Sequence, residues 1–539
     1  MFSSVKLSFE KSGSLNALVL DYLNQHHDTQ EFYGHAPNLS GFKALLREKP
    51  YAGLDRGPLY TIIRNQQGNR QLSASSKKNL ELLKEKNTFT VTTGHQLCLF
   101  TGPLYFVYKI LSTIKLCETL KMAMPEYDFV PVYWMATEDH DFEEVNHFHV
   151  FGKTLQWASE EKGAVGNFST QSLQGLYEEF KSIIGESTQA KTLLQLFKDA
   201  YLGQANLSDA TGYLANVLFG EHGLIIVDGD DKAFKSQFVD TFEKDIFENF
   251  AAKAVKNSIQ TLQQRHYPVQ VKPRDINCFM LGEQTRYRIE AKDGKFKLVG
   301  SDQVMTAEEL KNIIRKTPEK ISPNVLLRPL YQQHILPSIA YVGGPGELAY
   351  WLELKEMFDA RHALFPILVP RNFLSIIDRG LQNKMERLKL EPADFFLEEN
   401  KIIEKFQLGA NATFNLDEEK TMLEKLYAVM AEKMALVDKT LSGSIKAESQ
   451  KSMNGIIALE GKANKALKQK SETEINQIKT IKQKLFPGNV PQERYDNFTP
   501  YFLKYGSAFF AEVYRAIQPL DFQHQLLLEN KTPAEHSFK

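Results

Sequence analysis

The sequence predicts an α/β protein with a doubly wound core, two long inserts in that core and a long antiparallel α-helical coiled coil after it. Short β-branched and aromatic runs alternate with helical stretches, which is typical of a parallel sheet with crossover helices. Polar or glycine-rich breaks follow several of these runs, where α/β proteins bind ligands. Between residues 374 and 485, apolar residues recur every three or four positions, which favours long paired helices.

Five strands are predicted for the core sheet, at residues 88–93, 129–136, 224–228, 339–342 and 364–369. Helices are predicted between them, at residues 102–122, 231–264 and 347–361. The first of these helices is expected to hold Pro103 in its first turn, where no backbone N–H is needed. Because parallel strands end at one edge of a sheet, we expect the loops that follow them to share a ligand site.

These elements divide the chain into seven segments. The core is predicted at residues 1–149, 223–264 and 336–379, with a helical insert at 150–222 and a mixed α/β insert at 265–335. The coiled coil is predicted at 380–485, with its two helices joined near 447–461, and residues 486–539 are expected to return to the core. One seam of it comprises Leu423, Leu426, Met430, Met434, Val437 and Leu441. A lone helix pair buries such a seam only in part, so we expect a homodimer held by the coiled coil.

The composition of the 539 residues is that of an ordinary globular protein, with 42% hydrophobic and 24% charged residues. A net charge of −1 gives no general attraction to nucleic acid or to anionic membranes, and we expect neither as a partner. The first residues lack the apolar core of a signal peptide and no apolar run reaches ~18 residues, so we expect neither a signal peptide nor a membrane span. Its three cysteines form no CxxC pair and suit a reducing compartment, so we expect a cytoplasmic protein.

The loop after the first strand carries an anion-binding pattern. Thr92-Thr93-Gly94-His95 fits the TxGH form of the phosphate-binding signature of class I synthetases, and a helix N-terminus follows it. We expect Gly94 to let the backbone approach the ligand and His95 to donate a hydrogen bond to its oxygens. Further candidates in this segment are Gln96, Thr101, Gly102 and Lys109. The alternative is that His95 only caps the loop.

The loop after the second strand is acidic and contains histidines. Its candidate catalytic residues are Glu138, Asp139, His140 and Asp141, and Asn146 and His147 are candidate binding residues. Such a cluster suits general acid–base chemistry, the ammonium group of an amino acid, or a divalent metal. The spacing matches no known zinc motif, so we assign no metal site. The alternative is an acidic helix N-terminus that stabilises its own dipole.

A glycine-rich turn follows the fourth strand and precedes a helix. Its candidate binding residues are Gly343, Gly344, Gly346, Glu347 and Trp351, and we expect the glycines to allow positive φ angles and close ligand approach. The turn is neither GxGxxG nor a P-loop, so no NAD site is predicted, and no flavin or haem either. Arg328 and Arg371, at other edges of the core, are candidates for neutralising substrate carboxylates. The alternative is a structural strand–helix turn.

Five motifs in order along the chain carry a family resemblance: TTGHQ with FTGPLY, PVYWMATEDHDFEEVNH, YVGGPGELAYWLEL, FPILVPRNF and PQERYDNF. Together they resemble the bacillithiol biosynthesis cysteine-adding enzyme family over nearly the whole chain. The resemblance implies a Rossmann-like core with two connecting-peptide inserts and a coiled coil that pairs two subunits. It also implies a ligase that forms an amide between cysteine and glucosaminyl-malate in the last step of bacillithiol biosynthesis. Such a ligase needs an activated carboxyl group, and therefore ATP with Mg²⁺.

Two other functions stay open at this point. The first is a metal-dependent hydrolase that acts on an aminosugar, with Asp139, His140 and Asp141 as ligands. The second is a catalytically inactive coiled-coil scaffold. No KMSKS-like lysine loop follows the core, so the adenylylation mechanism of class I synthetases does not carry over whole.

A separate nucleotide site is predicted where the chain returns from the coiled coil. The segment offers an arginine for phosphate, amide and carboxylate groups for ribose or base, and an aromatic ring for stacking. Its candidates for binding ATP or ADP are Gln492, Glu493, Arg494, Tyr495 and Asn497. We expect this position to be distinct from the loop at His95. The alternative is that the segment is only a domain hinge.

Overall fold

A computed structural model describes residues 1–68, 70–282, 285–409 and 414–530. The chain divides into two units, Met1–Ile376 with Val490–Asn530, and Ile377–Asn489. The first contains all the strands of the central sheet, and the second is helical.

Five parallel strands form the central sheet of the first unit. In chain order the core strands are Thr88–His95, Asp128–Met135, Ile225–Asp228, Ser338–Gly343 and Ile367–Pro370. Across the sheet the order is fifth, fourth, first, second, third, so the chain starts in the middle and winds to both sides. The first core strand is buried at every position, as its β-branched residues suggest. The predicted doubly wound α/β core is confirmed.

The crossover helices differ from the prediction in three places. The helix after the first core strand is Leu104–Ala123, and Pro103 is its N-cap rather than part of its first turn. The single helix predicted at 231–264 is three helices, Lys232–Gln237, Val239–Glu248 and Phe250–Gln264, and Asn249 separates the last two with a φ of 56°. The helix predicted at 347–361 is two, Pro345–Leu352 and Lys355–Ala360. Local breaks of this kind leave the apolar periodicity intact, so the periodicity does not reveal them.

The two inserts have different architectures. The first opens with an antiparallel hairpin, His147–Val150 with Lys153–Gln156, and continues as the helices Gln174–Ile184, Thr188–Phe197 and Leu207–Phe219. The second is an antiparallel sheet in the order Val304–Met305, Lys295–Leu298, Arg286–Lys292, Cys278–Leu281, Ile321–Pro323. Its helices are Ala307–Lys316 and Arg328–Ile335.

The two ends of the first unit meet in a small sheet. Phe2–Ser8 pairs antiparallel with Gln523–Glu529, and Phe373–Ile377 lies on the other side of that strand. The N-terminal helices are Phe9–Ser12, Ala17–Leu23, Leu39–Arg47, Arg56–Gln67 and Ala74–Leu82. The C-terminal helices are Thr499–Tyr505 and Ala508–Ala516.

The second unit contains the predicted helical hairpin. Its helices are Arg379–Leu388, Glu399–Gly409, Asp417–Ala435 and Ser442–Leu485. Lys420 pairs with Glu460 and Tyr427 with Ser452, so the last two helices run antiparallel. The junction predicted near 447–461 is wrong, because those residues lie inside the last helix and the chain turns between the helices at 436–441 instead. No helix in the described part of the chain has the length and apolarity to cross a membrane.

Candidate functional site

The carboxyl ends of the core strands surround a cavity of about 440 Å³ within the first unit. Its lining brings together twelve residues singled out from the sequence: Gly94, His95, Gln96, Lys109, Glu138, Asp139, Arg328, Gly344, Gly346, Glu347, Arg371 and Arg494. A site at this edge of a doubly wound sheet follows from the topology, because the strand order reverses direction at the first core strand.

The order of the strands determines where charged residues enter this cavity. Glu138 and Asp139 follow the second core strand, on one side of His95. Glu347 and Arg371 follow the fourth and fifth core strands, on the other side. The complete lining holds five basic side chains, those of Lys109, Arg286, Arg328, Arg371 and Arg494, and three carboxylates. The cavity therefore suits a ligand that carries more negative than positive charge.

A buried ion pair anchors the basic side of the cavity. Lys109 is 3% exposed, and its Nζ lies 2.7 Å from Oε2 of Glu347 and also donates to the carbonyl of Gly94. Glu347 accepts further hydrogen bonds from the Tyr341 hydroxyl at 2.7 Å and from the Gly344 N–H at 2.8 Å. Burial alone would raise the pKa of Glu347, but the charge and hydrogen bonds of Lys109 and the other donors lower that pKa to about 2. Glu347 is therefore ionised and held by three donors, and we expect it to organise the site rather than to transfer protons.

Arg371 lines the cavity from a second buried ion pair. Its two terminal nitrogens donate to the two carboxylate oxygens of Glu493 at 2.8 and 2.6 Å, and both side chains are at most 2% exposed. The Nε of Arg371 is buried and has no hydrogen-bond partner among the described residues. A bidentate pair fixes the guanidinium plane, so this remaining N–H is held in a defined direction.

The acidic side of the cavity is held by a network around Gln96. The side-chain amide of Gln96 donates to Asp139 and to Glu144, each at 2.7 Å. The other oxygen of Asp139 accepts from the backbone N–H of His140 at 2.8 Å. Glu138 forms an ion pair with the buried Lys235, and burial raises the pKa of Glu138 while Lys235 opposes that rise. The two carboxylates are thus fixed by different partners.

His95 has a hydrogen-bonding pattern different from the one expected. Its Nδ1 lies 2.8 Å from the carbonyl oxygen of Gln96, which can only accept, so Nδ1 carries the proton. Burial, with the positive charge of Lys109, lowers the pKa of His95 to about 3, so the ring is neutral. Its Nε2 is then an acceptor, and it has no partner in the described part of the chain. This arrangement differs from the expected one, in which the ring of His95 donates to phosphate oxygens, because here Nε2 can only accept.

The glycines of the cavity differ in their need for a missing side chain. At Gly94 an added Cβ would lie 3.2 Å from the Tyr341 hydroxyl oxygen and 3.6 Å from Nη1 of Arg328. At Gly344 the nearest atom, Oε2 of Glu347, would lie at 3.4 Å, and at Gly346 there is open space. None of the glycines at 343, 344 and 346 has a positive φ. The expected left-handed turn is absent there, because Gly344 and Pro345 begin the next helix in ordinary extended and helical geometry.

Eight predicted site residues outside the C-terminal segment do not line the cavity: Thr101, Gly102, His140, Asp141, Asn146, His147, Gly343 and Trp351. His140 and Asp141 are exposed. Asn146 lines a second, open cavity and bonds to the His147 ring. Gly102 has a φ of 59°, and an added Cβ would lie 2.7 Å from the Cβ of Cys98, so its role is a tight turn. Trp351 is buried and stacks on Tyr341.

The segment predicted as a separate nucleotide site is largely occupied by structural contacts. Gln492 bonds both backbone groups of Ile376, and Asn497 donates to the carbonyls of Phe100 and Gly102 at 2.8 and 2.7 Å. Tyr495 stacks on the ring of His149, with 3.9 Å between centroids. Arg494 is exposed and lines the same cavity as His95. The expected separation of this segment from the loop at His95 is therefore wrong for Arg494.

Sequence reasoning missed several residues of the lining. Tyr105, Tyr341 and Tyr350 bring aromatic rings and hydroxyl groups, and Arg328 donates to the Tyr350 hydroxyl at 3.0 Å. Tyr341 and Tyr350 flank the glycine-rich turn, so their position gave a signal. Arg286 comes from the second insert, where it donates to Pro323 at 2.6 Å and to Ser322 at 2.8 Å. No local pattern indicates that this insert reaches the cavity.

Among the described residues, one group of three side chains is close enough to bind a metal ion together, namely His26, His27 and Asp28. None of them lines the cavity. Asp139, His140 and Asp141, the ligands expected for a hydrolase, do not form such a group. The hydrolase alternative therefore has no support from the geometry of these three residues.

Comparisons with known proteins agree over nearly the whole chain. The family model "Bacillithiol biosynthesis BshC, N-terminal Rossmann-like domain" matches residues 3–372, and "Bacillithiol biosynthesis BshC, C-terminal coiled-coil domain" matches residues 374–529. A protein of Flavobacterium psychrophilum named "Putative cysteine ligase BshC" is 40% identical over 518 residues, covering 95% of this chain and 97% of its own.

More distant relatives carry the same name. The protein of Cytophaga hutchinsonii is 35% identical over 527 residues, which cover 97% of this chain and 99% of the relative. The protein of Bacillus cytotoxicus is 28% identical over 519 residues, which cover 94% and 96%. The Rossmann-like core and the coiled coil are thus common to this chain and the family models. The chain belongs to the bacillithiol biosynthesis BshC family.

Proposed function

We propose that this protein is a ligase that joins the carboxyl group of cysteine to the amine of glucosaminyl-malate, in the last step of bacillithiol biosynthesis. The names of the relatives support a cysteine ligase. The substrates follow from the family resemblance of the motifs. The buried, free state of Cys98, Cys117 and Cys278 suits action in the cytoplasm.

One observation supports the proposal: a single cavity combines five basic side chains with the carboxylates of Glu138, Asp139 and Glu347. Amide formation between these substrates needs both. Glucosaminyl-malate brings two carboxylates and an amine, and cysteine brings a carboxylate and an ammonium group. Lys109, Arg328 and Arg371 suit the anionic groups, because charged hydrogen bonds to carboxylates are strong in a partly buried site.

The carboxylates of Glu138 and Asp139 suit the nitrogen chemistry. An amine attacks only as the neutral base, and the new amide releases one proton. We assign Glu138 and Asp139 to binding the cysteine ammonium group or to taking up that proton. His95 offers an acceptor at Nε2 and, with its low pKa, is a poor base at neutral pH. The proton therefore passes to a carboxylate or to solvent.

The cysteine carboxyl group needs activation, because a carboxylate does not react with an amine at a useful rate. ATP with Mg²⁺ supplies an acyl phosphate or an acyl adenylate, and the amine then displaces phosphate or AMP. We place the nucleotide phosphates near Arg494, an exposed arginine that lines the cavity. The basic excess of the lining fits a polyanion.

The proposal is tested by product analysis. Purified protein is incubated with cysteine, glucosaminyl-malate and ATP·Mg²⁺, and the mixture is analysed by mass spectrometry. We expect an adduct with the mass of both substrates minus one water, which is absent when ATP is omitted. Free malate or free aminosugar as the only product would instead favour the hydrolase. Absence of product, together with no thermal stabilisation by any substrate, would favour the scaffold.

A matched pair of variants connects the product to the cavity. Asp139→Asn changes a carboxylate that lines the cavity, and Asp141→Asn changes an exposed carboxylate two residues away. We expect product formation to fall by about 100-fold or more in the first variant, the size of one acid–base or positioning contribution. The second variant should retain activity. Equal activity of both variants would remove the cavity carboxylate from the mechanism.

A further inference from the structure

A buried lysine outside the cavity contacts one of the cavity carboxylates. Lys235 lies on the helix Lys232–Gln237, which follows the third core strand, and its side chain is 0% exposed. Its Nζ forms an ion pair with Oε1 of Glu138 and lies 2.5 Å from Oδ1 of Asp230. It also donates to the carbonyl of Glu319, in the second insert, at 3.1 Å. The lysine thus connects the loop after the second core strand, the loop after the third core strand and the second insert.

The contact leaves one oxygen of Glu138 available. Glu138 is 14% exposed and lines the cavity. Its Oε2 accepts no hydrogen bond from the residues that the structure describes, whereas Oε1 is held by Lys235. A carboxylate fixed through one oxygen presents the other in a defined direction. This is the arrangement needed to receive an ammonium group or a proton.

We propose that Lys235 is a positioning residue that holds Glu138 ionised and oriented toward the substrate nitrogen. This inference rests on the proposed function: Glu138 contacts the substrate directly, and Lys235 acts through Glu138. Lys235 acts through two features, its charge and its geometry. An unpaired carboxylate at this depth would be expensive to ionise, and the buried ammonium group offsets part of that cost.

The charges around Glu138 determine its protonation. Besides Lys235, the groups that act on it are Arg286, which lines the cavity, and Asp230, on the loop after the third core strand. Tyr331 and Cys278 also lie close enough to interact with it, and burial keeps both of them neutral by raising their pKa values. Burial raises the pKa of Glu138, Lys235 and Arg286 lower it, and Asp230 raises it. Loss of Lys235 therefore raises the pKa of Glu138 further.

The first test uses Lys235→Met with Lys232→Met as a matched control. Lys232 lies on the same helix, is 60% exposed and pairs with the Glu319 side chain. We expect Lys235→Met to lower kcat/KM by up to about 100-fold, the cost of a misplaced catalytic group. The acidic limb of its pH profile should move to higher pH, because Glu138 then protonates more easily. Lys232→Met should keep the wild-type profile, and an unshifted profile in Lys235→Met would overturn the proposal.

A double variant keeps the test decisive when the single variant folds poorly. If Lys235 acts through Glu138, then Glu138→Gln and the double variant Glu138→Gln with Lys235→Met should have the same kcat/KM, within about twofold. A further large drop in the double variant would show a role that does not pass through Glu138. The conservative Lys235→Arg should restore part of the activity and much of the pH profile.

A stability measurement separates this inference from the proposed reaction. In Lys235→Met the folded protein must carry an unpaired Glu138, at a cost that grows as pH rises above about 4.5, the ordinary value. We therefore expect the double variant to melt at a higher temperature than Lys235→Met, by a margin that increases from pH 5 to pH 8. A margin independent of pH would overturn the inference, whatever reaction the enzyme performs. If this difference in melting temperature increases with pH but no product forms, only the proposed substrates are refuted.

Discussion

At the residue scale, the ion pair between Lys109 and Glu347 makes stability depend on pH. The pKa of Glu347 falls from 4.5 to about 2 on folding, so its contribution is complete above about pH 4.5 and is lost as pH falls through about 2. We expect Glu347→Gln to lower the unfolding free energy near pH 7 by about 3–5 kcal/mol, since it leaves a buried lysine unpaired. Denaturant unfolding at a series of pH values measures this difference.

The difference in unfolding free energy between wild type and Glu347→Gln should become smaller as pH falls from 4.5 toward 2. Glu186→Gln serves as the control, because Glu186 is exposed and makes no hydrogen bond or ion pair in the described structure. That variant should have the same unfolding free energy as the wild type at every pH. A constant difference between wild type and Glu347→Gln across this range would contradict the assignment of an ionised, buried pair.

The His95 ring gives a second prediction at this scale. With Nδ1–H held by the Gln96 carbonyl and a pKa of about 3, the ring should stay in one neutral tautomer from pH 8 to pH 5. Nitrogen NMR of histidine-labelled protein measures the protonation of each ring nitrogen, and His95→Gln identifies the signal. A ring that titrates near pH 6.5, or that carries its proton on Nε2, would contradict this geometry.

At the element scale, the helical hairpin of the second unit leaves apolar side chains exposed. Leu426 is 57% and Met430 42% exposed, although both belong to the seam predicted from the sequence. The 3.6-residue periodicity predicts which face is apolar, but it does not identify what covers that face. A second copy of the chain is the partner we expect, because exposed apolar seams of paired helices commonly bury themselves in this way.

Replacing Leu426 and Met430 together with glutamate should therefore convert a dimer into a monomer. Burying charged residues at such a seam disfavours association, while the exposed positions tolerate them in the isolated chain. Sedimentation velocity measures the state, and Val217→Glu, an exposed apolar position in the first insert, is the control. Deletion of residues 385–483 with a short linker should also give a monomer. A dimer that survives both changes would place the interface elsewhere.

The strands were more predictable than the helix ends. All five core strands were identified because β-branched runs such as the first core strand must be buried on both faces of a parallel sheet. The helix break at Asn249, the turn at 436–441 and the N-cap position of Pro103 were not predicted, because one or a few residues in left-handed, turn or capping geometry do not disturb the apolar periodicity. The hairpin His147–Val150 with Lys153–Gln156 was likewise not predicted, since it begins at the end of the predicted core and continues into the insert predicted as helical.

At the scale of the whole molecule, one cavity combines residues that lie more than 300 positions apart. Gly94, His95, Gln96, Glu138 and Asp139 were predictable as site residues because they lie at or just after the carboxyl ends of core strands. Arg286 and Tyr105 were not, because only the folded chain shows which insert and which helix face reach the cavity. Glu493 was predicted to bind the nucleotide, but it is the buried ion-pair partner of Arg371.

The shared cavity changes the expectation for nucleotide binding. Arg494→Ala should weaken ATP affinity by roughly 10- to 150-fold, equivalent to the loss of one charged hydrogen bond of about 1.5–3 kcal/mol. Arg274→Ala, an exposed arginine outside the lining, is the matched control and should bind ATP as the wild type does. Calorimetric titration measures both. Unchanged affinity in Arg494→Ala would exclude the placement of the phosphates near this residue.

The proposed reaction requires that the cysteine carboxyl group is activated in the cavity before an amine attacks it. Cysteine with both carboxyl oxygens labelled as ¹⁸O tests it most directly, because activation transfers one of these oxygens to the phosphorus. After reaction with glucosaminyl-malate and ATP·Mg²⁺, we expect one ¹⁸O in the amide product and the other in the released phosphate or AMP, detected by mass spectrometry. Asp139→Asn should diminish both signals together. Product formed without ¹⁸O in any phosphorus compound, or hydrolysis of the aminosugar alone, would contradict the claim.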